Sequence, residues 1–202
     1  MIINATDIEA MEKLQQVQLA TSLPGAKPIC LVGTKSHKGT TNLAPFSSIT
    51  HLGSRPMLIA MVTRPDTVDR HTLRNILKTK CWTLNHVHAE ILDQAHQCSA
   101  RYPDAISEFS AVGLTEQFHS DVTAPFVKES RLKYALELED IVDIKANNTK
   151  LIIGKVVLIE FPEKAIYEDG SINLEKIGSL ASTALDTYFS VSKVAQLRYP
   201  KP

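Results

Sequence analysis

The chain has 202 residues, 44% of them hydrophobic, and its 22 lysine and arginine residues are matched by 22 aspartate and glutamate residues. A chain of this length can bury about 70% of its unfolded surface as one domain, so it needs no metal or disulfide staple. Zero formal charge, with no block of five like charges, argues against nucleic acid or an acidic membrane as partner. No apolar run approaches the ~20 residues of a membrane helix. The residues from Met1 to Asp7 carry no cationic segment followed by an apolar run, so no secretion signal is expected. Cys30, Cys81 and Cys98 are odd in number and widely spaced, which suits reduced thiols and a cytoplasmic setting.

In chain order, Ile8, Met11, Leu14 and Val17 recur every three residues and predict a helix from Asp7 to Gln18, capped by Thr6 or Asp7. Pro24-Gly25 ends it. The segments Pro28 to Thr34, Thr41 to Thr50 and Met57 to Thr63 read as consecutive antiparallel strands, with a hairpin turn over Lys35 to Thr40. A helix follows from Thr67 to Thr79, with Leu73, Ile76 and Leu77 on one face, and then a strand from Cys81 to Val87. The polar stretch from His88 to Phe109 is expected to be helical and residues 113–125 irregular. Leu132 to Ile144 and Leu151 to Phe161 read as strands, Asp169-Gly170 as a turn, and Asn173 to about Ala181 as a short helix. Many short strands without strand–helix alternation predict a mainly β fold with helical decorations, an antiparallel barrel in place of a doubly wound sheet. No GxGxxG or GxxxxGK loop is present, so a phosphorylated cofactor would need another device.

Such a device is visible between Thr34 and Asn85. The run Pro28-Ile-Cys-Leu-Val-Gly-Thr34, then Gly39-Thr-Thr-Asn-Leu-Ala-Pro-Phe-Ser-Ser48, is followed by Arg64, by Asp69-Arg70-His71-Thr72 with Asn75-Ile76, and by Trp82-Thr-Leu-Asn85. Further on come Glu108-Phe109, Gly113-Leu114, Glu129-Ser130 and the Leu151 to Ile159 strand with Gly154. In order and spacing these segments resemble the flavin reductase-like family, across most of residues 24 to 190. The resemblance implies an FMN-binding split β-barrel, one domain over residues 1–202, and a homodimer with a flavin near the subunit boundary. It also implies an oxidoreductase that moves hydride from NADH or NADPH through FMN. Where the family commonly has Lys-Asp-Thr this chain has Arg70-His71-Thr72, and its Ala181 to Tyr188 segment keeps the tyrosine of an Arg-Leu-Gly-Gly-x-x-Tyr-like pattern without the arginine and glycines.

The residues suit the chemistry. An isoalloxazine ring needs backbone polar groups on a closely approachable strand. The stretch Asn42 to Ser48 offers one, stiffened by Pro45, with small Ala44 and Ser47 permitting close approach. A phosphate needs charge and donors, and Arg70 and Thr72 stand where a loop enters the Leu73 helix. Thr34, Ser36, Ser48 and Arg64 are further polar candidates, and Asn85 either contacts the cofactor or satisfies a turn in the sheet. The cofactor residues expected are therefore Thr34, Asn42, Ala44, Pro45, Ser47, Ser48, Arg64, Arg70, Thr72 and Asn85. No catalytic residue is expected, because hydride transfer needs no general acid or base. His86, His88, His96 and Cys98 make a weak metal pattern, and a polar loop region is the better reading. Trp82 and Phe46 are as readily core residues as stacking partners. Alternatives to the reductase are a non-catalytic flavin carrier and a bare structural barrel.

Overall fold

The computed structural model describes residues 1–65, 70–184, 186–198 and 200. Two helices open the chain, α1 (Ala5–Glu9) and α2 (Lys13–Ser22), where the apolar stripe predicted one. The cap is Asn4, two residues before Thr6, the earlier of the two expected caps. Its Oδ1 accepts the Asp7 N–H at 3.0 Å while Asp7 Oδ2 accepts the Asn4 N–H at 2.9 Å, a reciprocal box that puts Asp7 inside the first turn. Neither helix has a buried residue, and the stripe residues Leu14 and Val17 are 70% and 48% exposed.

The next elements are β1 (Lys27–Pro28), β2 (Cys30–Lys35), β3 (Thr41–Phe46), β4 (Ile49–Ser54) and β5 (Met57–Thr63). The single strand expected over Thr41 to Thr50 is two. At Ser47-Ser48 the chain leaves the β2 side and crosses to β5, where Ser48 O accepts the Val62 N–H (3.1 Å) and Ser48 Oγ donates to Val62 O (2.7 Å). Helix α3 (His71–Thr79) and β6 (Cys81–His86) lie where expected; the predicted helix start at Thr67 is outside the described residues. Between His88 and Phe109 only α4 (Leu92–Gln97), a 3-10 turn at Ala89–Ile91 and the start of α5 (Glu108–Val112) are helical. The segment expected to be irregular forms a hairpin of β7 (Glu116–His119) and β8 (Val122–Val127). Two long strands follow, β9 (Lys133–Ile144) and β10 (Thr149–Glu160). The helix expected to reach Ala181 is only α6 (Leu174–Ile177), because Gly178 adopts the left-handed conformation at φ +74° and stops it. The chain then pairs as β11 (Leu180–Thr183) and β12 (Thr187–Ser190).

Seven strands form one antiparallel sheet in the order β3-β2-β6-β9-β10-β5-β4. Its two edges, β3 and β4, are consecutive in sequence. The sheet curls so that Phe46 from one edge and Ile49 from the other pack on the same core of Cys30, Val32, Met61, Leu73, Ile76, Trp82, Leu84, Leu136 and Ile152. The edges are not hydrogen-bonded into a closed ring, so the barrel is split. Helix α3 buries Leu73 and Ile76 in this core, which explains the spacing that announced it. Trp82 is 1% exposed and lies against Gly154, where a Cβ would meet the indole ring at 2.5 Å. A second apolar layer joins Ile29, Leu31, Leu43, Val87, Ala95 and Phe109, and so packs α4 and α5 on the outer side of β2 and β3. Lys27 and Pro28 of β1 pair with β11, giving a separate three-stranded sheet with β12. Among the described residues no helix is long and apolar enough to cross a membrane.

Candidate functional site

Two side-chain hydrogen bonds join β2 and β3 to the start of α3. Asn42 Nδ2 donates to Thr72 Oγ1, and Asn75 Nδ2 donates to Thr34 Oγ1, both at 3.1 Å. All four residues are buried, with Thr34 wholly inaccessible. An interior amide or hydroxyl without a partner is costly, so these pairs lock the helix onto the strands. Thr34, Asn42 and Thr72, singled out separately in the sequence, are thus brought together, and Asn75 completes the set.

The entry to α3 is polar and positively charged. Arg70 occupies the N-cap position in an extended conformation, and its side chain makes no cap bond; its Nε donates to Pro65 O at 3.0 Å. The first turn has no acidic residue. His71, the substitute for a carboxylate, does not cap the helix either. Its Nε2 lies 2.5 Å from Asp104 Oδ1, and the same oxygen accepts from Arg74 at 2.7 Å. Asp104 therefore returns a carboxylate to this corner from a loop 33 residues away, and the Arg74 hydrogen bond holds its carboxyl below the usual range. A cavity of about 10 Å³ lies here, lined by Ser36, Asn42, His71, Arg74, Asn75 and Asp104, with room for roughly one water.

From this corner β3 leads away as an edge strand. Ala44, Pro45, Phe46, Ser47 and Ser48 are all half-buried, a line of small and apolar groups. Leu43 N–H turns away from β2 and donates to Glu108 Oε2 at 2.9 Å. Pro45, two residues on, faces the same way and has no N–H to leave unpaired, which is where an edge strand tolerates proline. Upstream, Thr41 Oγ1 lies 2.7 Å from Ser107 Oγ and donates to Glu116 Oε1 at 2.5 Å. Glu108 is 6% exposed, and burial pushes its carboxyl up against the opposing pull of the Leu43 N–H.

Two expected residues stand apart. Arg64 is exposed just past the end of β5. Asn85 is completely buried, with Nδ2 donating to Leu31 O and Thr83 Oγ1 and Oδ1 accepting the Val127 N–H, each at 2.9 Å. Its amide is committed to tying β2, β6 and β8 together. Of the histidines and cysteine weighed as metal ligands, His86 Nδ1 meets Ser179 Oγ at 3.0 Å, His88 Nε2 meets Glu129 O at 3.0 Å, His96 Nδ1 meets Tyr188 OH at 2.8 Å, and Cys98 is buried. Burial alone lowers the His86 pKa to about 4, which keeps that imidazole neutral. Among the described residues no three His, Cys, Asp or Glu side chains gather as a metal site. Asp104 and Glu108 were missed as site residues because only the folded chain brings them to α3 and β3; Glu108-Phe109 was the one visible signal.

The arrangement can receive an anion where α3 begins, since the N–H groups of a first helical turn and a nearby arginine favour negative charge. It can lay a flat, polar-edged group along Ala44 to Ser48. A larger cavity, about 280 Å³, lies elsewhere, among Tyr167, Asn173, Glu175, Lys193 and Gln196, and touches none of these residues.

A family model described as flavin reductase like domain matches residues 25–173. The crystal structure of a proposed flavin reductase with a split barrel domain from Shewanella frigidimarina NCIMB 400 is 42% identical, with a TM-score of 0.95 over 99% of this chain and all of that one. Nitrilotriacetate monooxygenase component B from Bacillus cereus shares the fold at 22% identity, with a TM-score of 0.85 over 98% of each chain. A protein of Aquifex aeolicus (strain VF5) is 28% identical over 177 residues, 87% of either chain. A match to nearly three quarters of the sequence, reaching from just before β1 to the start of α6, makes this chain a member of the flavin reductase-like domain family.

Proposed function

We propose that the chain binds FMN and works as an NAD(P)H-dependent flavin reductase-like oxidoreductase. The observation that carries this reading is the pair of bonds, Asn42 to Thr72 and Asn75 to Thr34, that makes an anion-receptive helix start continuous with a half-buried edge strand. FMN has that same bipartite character, a phosphate at one end and a flat ring at the other. Arg70 and the first turn of α3 would hold the phosphate, with Thr72 beside it. Ala44, Pro45, Ser47 and Ser48 would take the ring, while Thr34, Asn42 and Asn85 support the strands from beneath. When bound, FMN would supply the redox chemistry, taking hydride from NADH or NADPH and passing electrons to an acceptor. The protein's part is to fix the ring, hold the phosphate and exclude water, so no side chain is assigned an acid or base role.

A homodimer in the cytoplasm fits this reading. Well-formed ligand sites span about 300–1,000 Å³, and the cavity beside α3 is far smaller. A second copy would supply the missing wall, and Leu14, Val17, Leu52, Met57 and Val142 remain exposed on one chain as candidate contact residues. The test is to saturate the purified protein with FMN, desalt it and mix it anaerobically with NADH or NADPH. One retained flavin per chain that bleaches rapidly supports the reductase; a colourless protein refutes flavin binding. Retention without bleaching favours the second reading, a flavin carrier. One observation supports that alternative: the segment from Ala181 to Tyr188 keeps the tyrosine but lacks the arginine and glycines of the family pattern.

A further inference from the structure

We propose that Glu108 is the positioning residue for the flavin ring: its carboxylate anchors the Leu43 N–H and thereby sets the line of the Ala44 to Ser48 segment. This rests on the reading that this segment faces the ring. An edge strand is laddered on one side, here to β2, and has one outer row of backbone groups with no neighbouring strand to hold them, so partners of that row adjust its tilt and twist. On β3 that row begins at Thr41 and Leu43. Thr41 is held through its side chain by Ser107 and Glu116, and Leu43 through its N–H by Glu108 Oε2 at 2.9 Å. Pro45 offers no donor, and the next described anchor is Ser48, at the crossing to β5. The inner row of β3 pairs with β2 as far as Phe46, so among the described residues the outer row of the ring segment is held at Glu108 and Ser48.

The choice of a carboxylate is itself informative. Glu108 is buried among apolar neighbours such as Leu43 and Phe109, where an ionisable group is unfavourable for folding alone. The strong acceptor it provides gives a shorter and more directional hold on an N–H than a neutral group does. Glutamine keeps an acceptor oxygen at the same reach, whereas methionine fills the same space with none.

The test uses the full-length protein and three flavins: FMN, riboflavin and lumiflavin, the last carrying only the ring. Affinities come from fluorescence quenching of titrated flavin, with far-UV circular dichroism and thermal melts of the apoproteins alongside. Glu108→Ala and Glu108→Met are each expected to weaken all three flavins by a similar factor, about tenfold. Glu108→Gln is expected to restore affinity to within about twofold of wild type. Glu108→Met serves should the alanine variant not fold, because it preserves the buried volume. Loss of FMN affinity alone would place Glu108 with the phosphate and overturn the proposal. So would wild-type affinity in a folded Glu108→Met, or a Glu108→Gln loss as large as that of methionine. Wild-type protein that binds none of the three flavins refutes the flavin reading itself, and the proposal with it; flavin binding that survives unchanged in the variants removes only the proposal.

Discussion

Replacing Asn85 by alanine separates a fold role from a cofactor role at one position. Asn85 is fully buried and makes three hydrogen bonds of 2.9 Å, to Leu31 O, Thr83 Oγ1 and Val127 N. Alanine removes them and leaves two buried backbone groups, Leu31 O and Val127 N–H, without the partner they had. Each such group costs about 1–3 kcal/mol, so the expected destabilisation is about 4 kcal/mol. In a chain of this size 1 kcal/mol shifts the melting midpoint by about 2–4 °C, giving a fall of roughly 8–16 °C. Thr83 keeps its own bond to Pro125 O at 2.6 Å and so does not add to the loss. The assay is calorimetry of the apoprotein, followed by FMN titration well below the lowered midpoint. Folded Asn85→Ala is expected to bind FMN within about twofold of wild type. A midpoint shift under about 2 °C together with a tenfold loss of FMN affinity would refute the reasoning and return Asn85 to the cofactor site.

Arg70→Ala should weaken FMN by roughly 10-fold to 150-fold and leave riboflavin, which lacks the phosphate, almost unaffected; equal losses in paired titrations would assign Arg70 to the fold. Light scattering at low micromolar concentration should give a dimer mass with FMN present, and a monomer would require the site to be built from one chain. Gly33→Ala introduces a methyl that collides with Pro125 O and Thr83 Oγ1, an overpacking expected to cost about 1–3 kcal/mol and to lower the apoprotein melting midpoint by roughly 2–12 °C. Glu160 responds to pH: burial pulls its pKa up, but hydrogen bonds from Lys133 and His119 outweigh this and hold it below the usual carboxylate value. A depressed folded pKa adds stability above the unfolded value that is lost as pH falls through the folded one, so melts taken from about pH 6 down to pH 3 should fall progressively. Lys133→Met should flatten that fall, and an unchanged slope would remove the Lys133–Glu160 pair as its source.

Local patterns of the sequence were enough for the sheet strands and for the apolar face of α3. Strands β2, β5, β6, β9 and β10 carry apolar residues at strand spacing, and Leu73 and Ile76 share the buried face of a helix, so each announces its element wherever it ends up. The segment Asn42 to Ser48 and the residues Arg70 and Thr72 were legible for the same reason: their order along the chain is the motif. Other features depend on distant partners. The break of the expected strand at Ser47-Ser48 is decided by Val62, and the pairing of β11 by Lys27 and Pro28. In one dimension Asn85 suits a cofactor contact or a tie within the sheet equally, and only the folded chain reveals its three partners on β2, β6 and β8. Asp104 and Glu108 reach His71, Arg74 and Leu43 only because α5 and the loop before it fold back over β3. Periodicity records which face of an element is buried; the partner of a lone buried polar group lies far along the chain, so tertiary packing alone decides it.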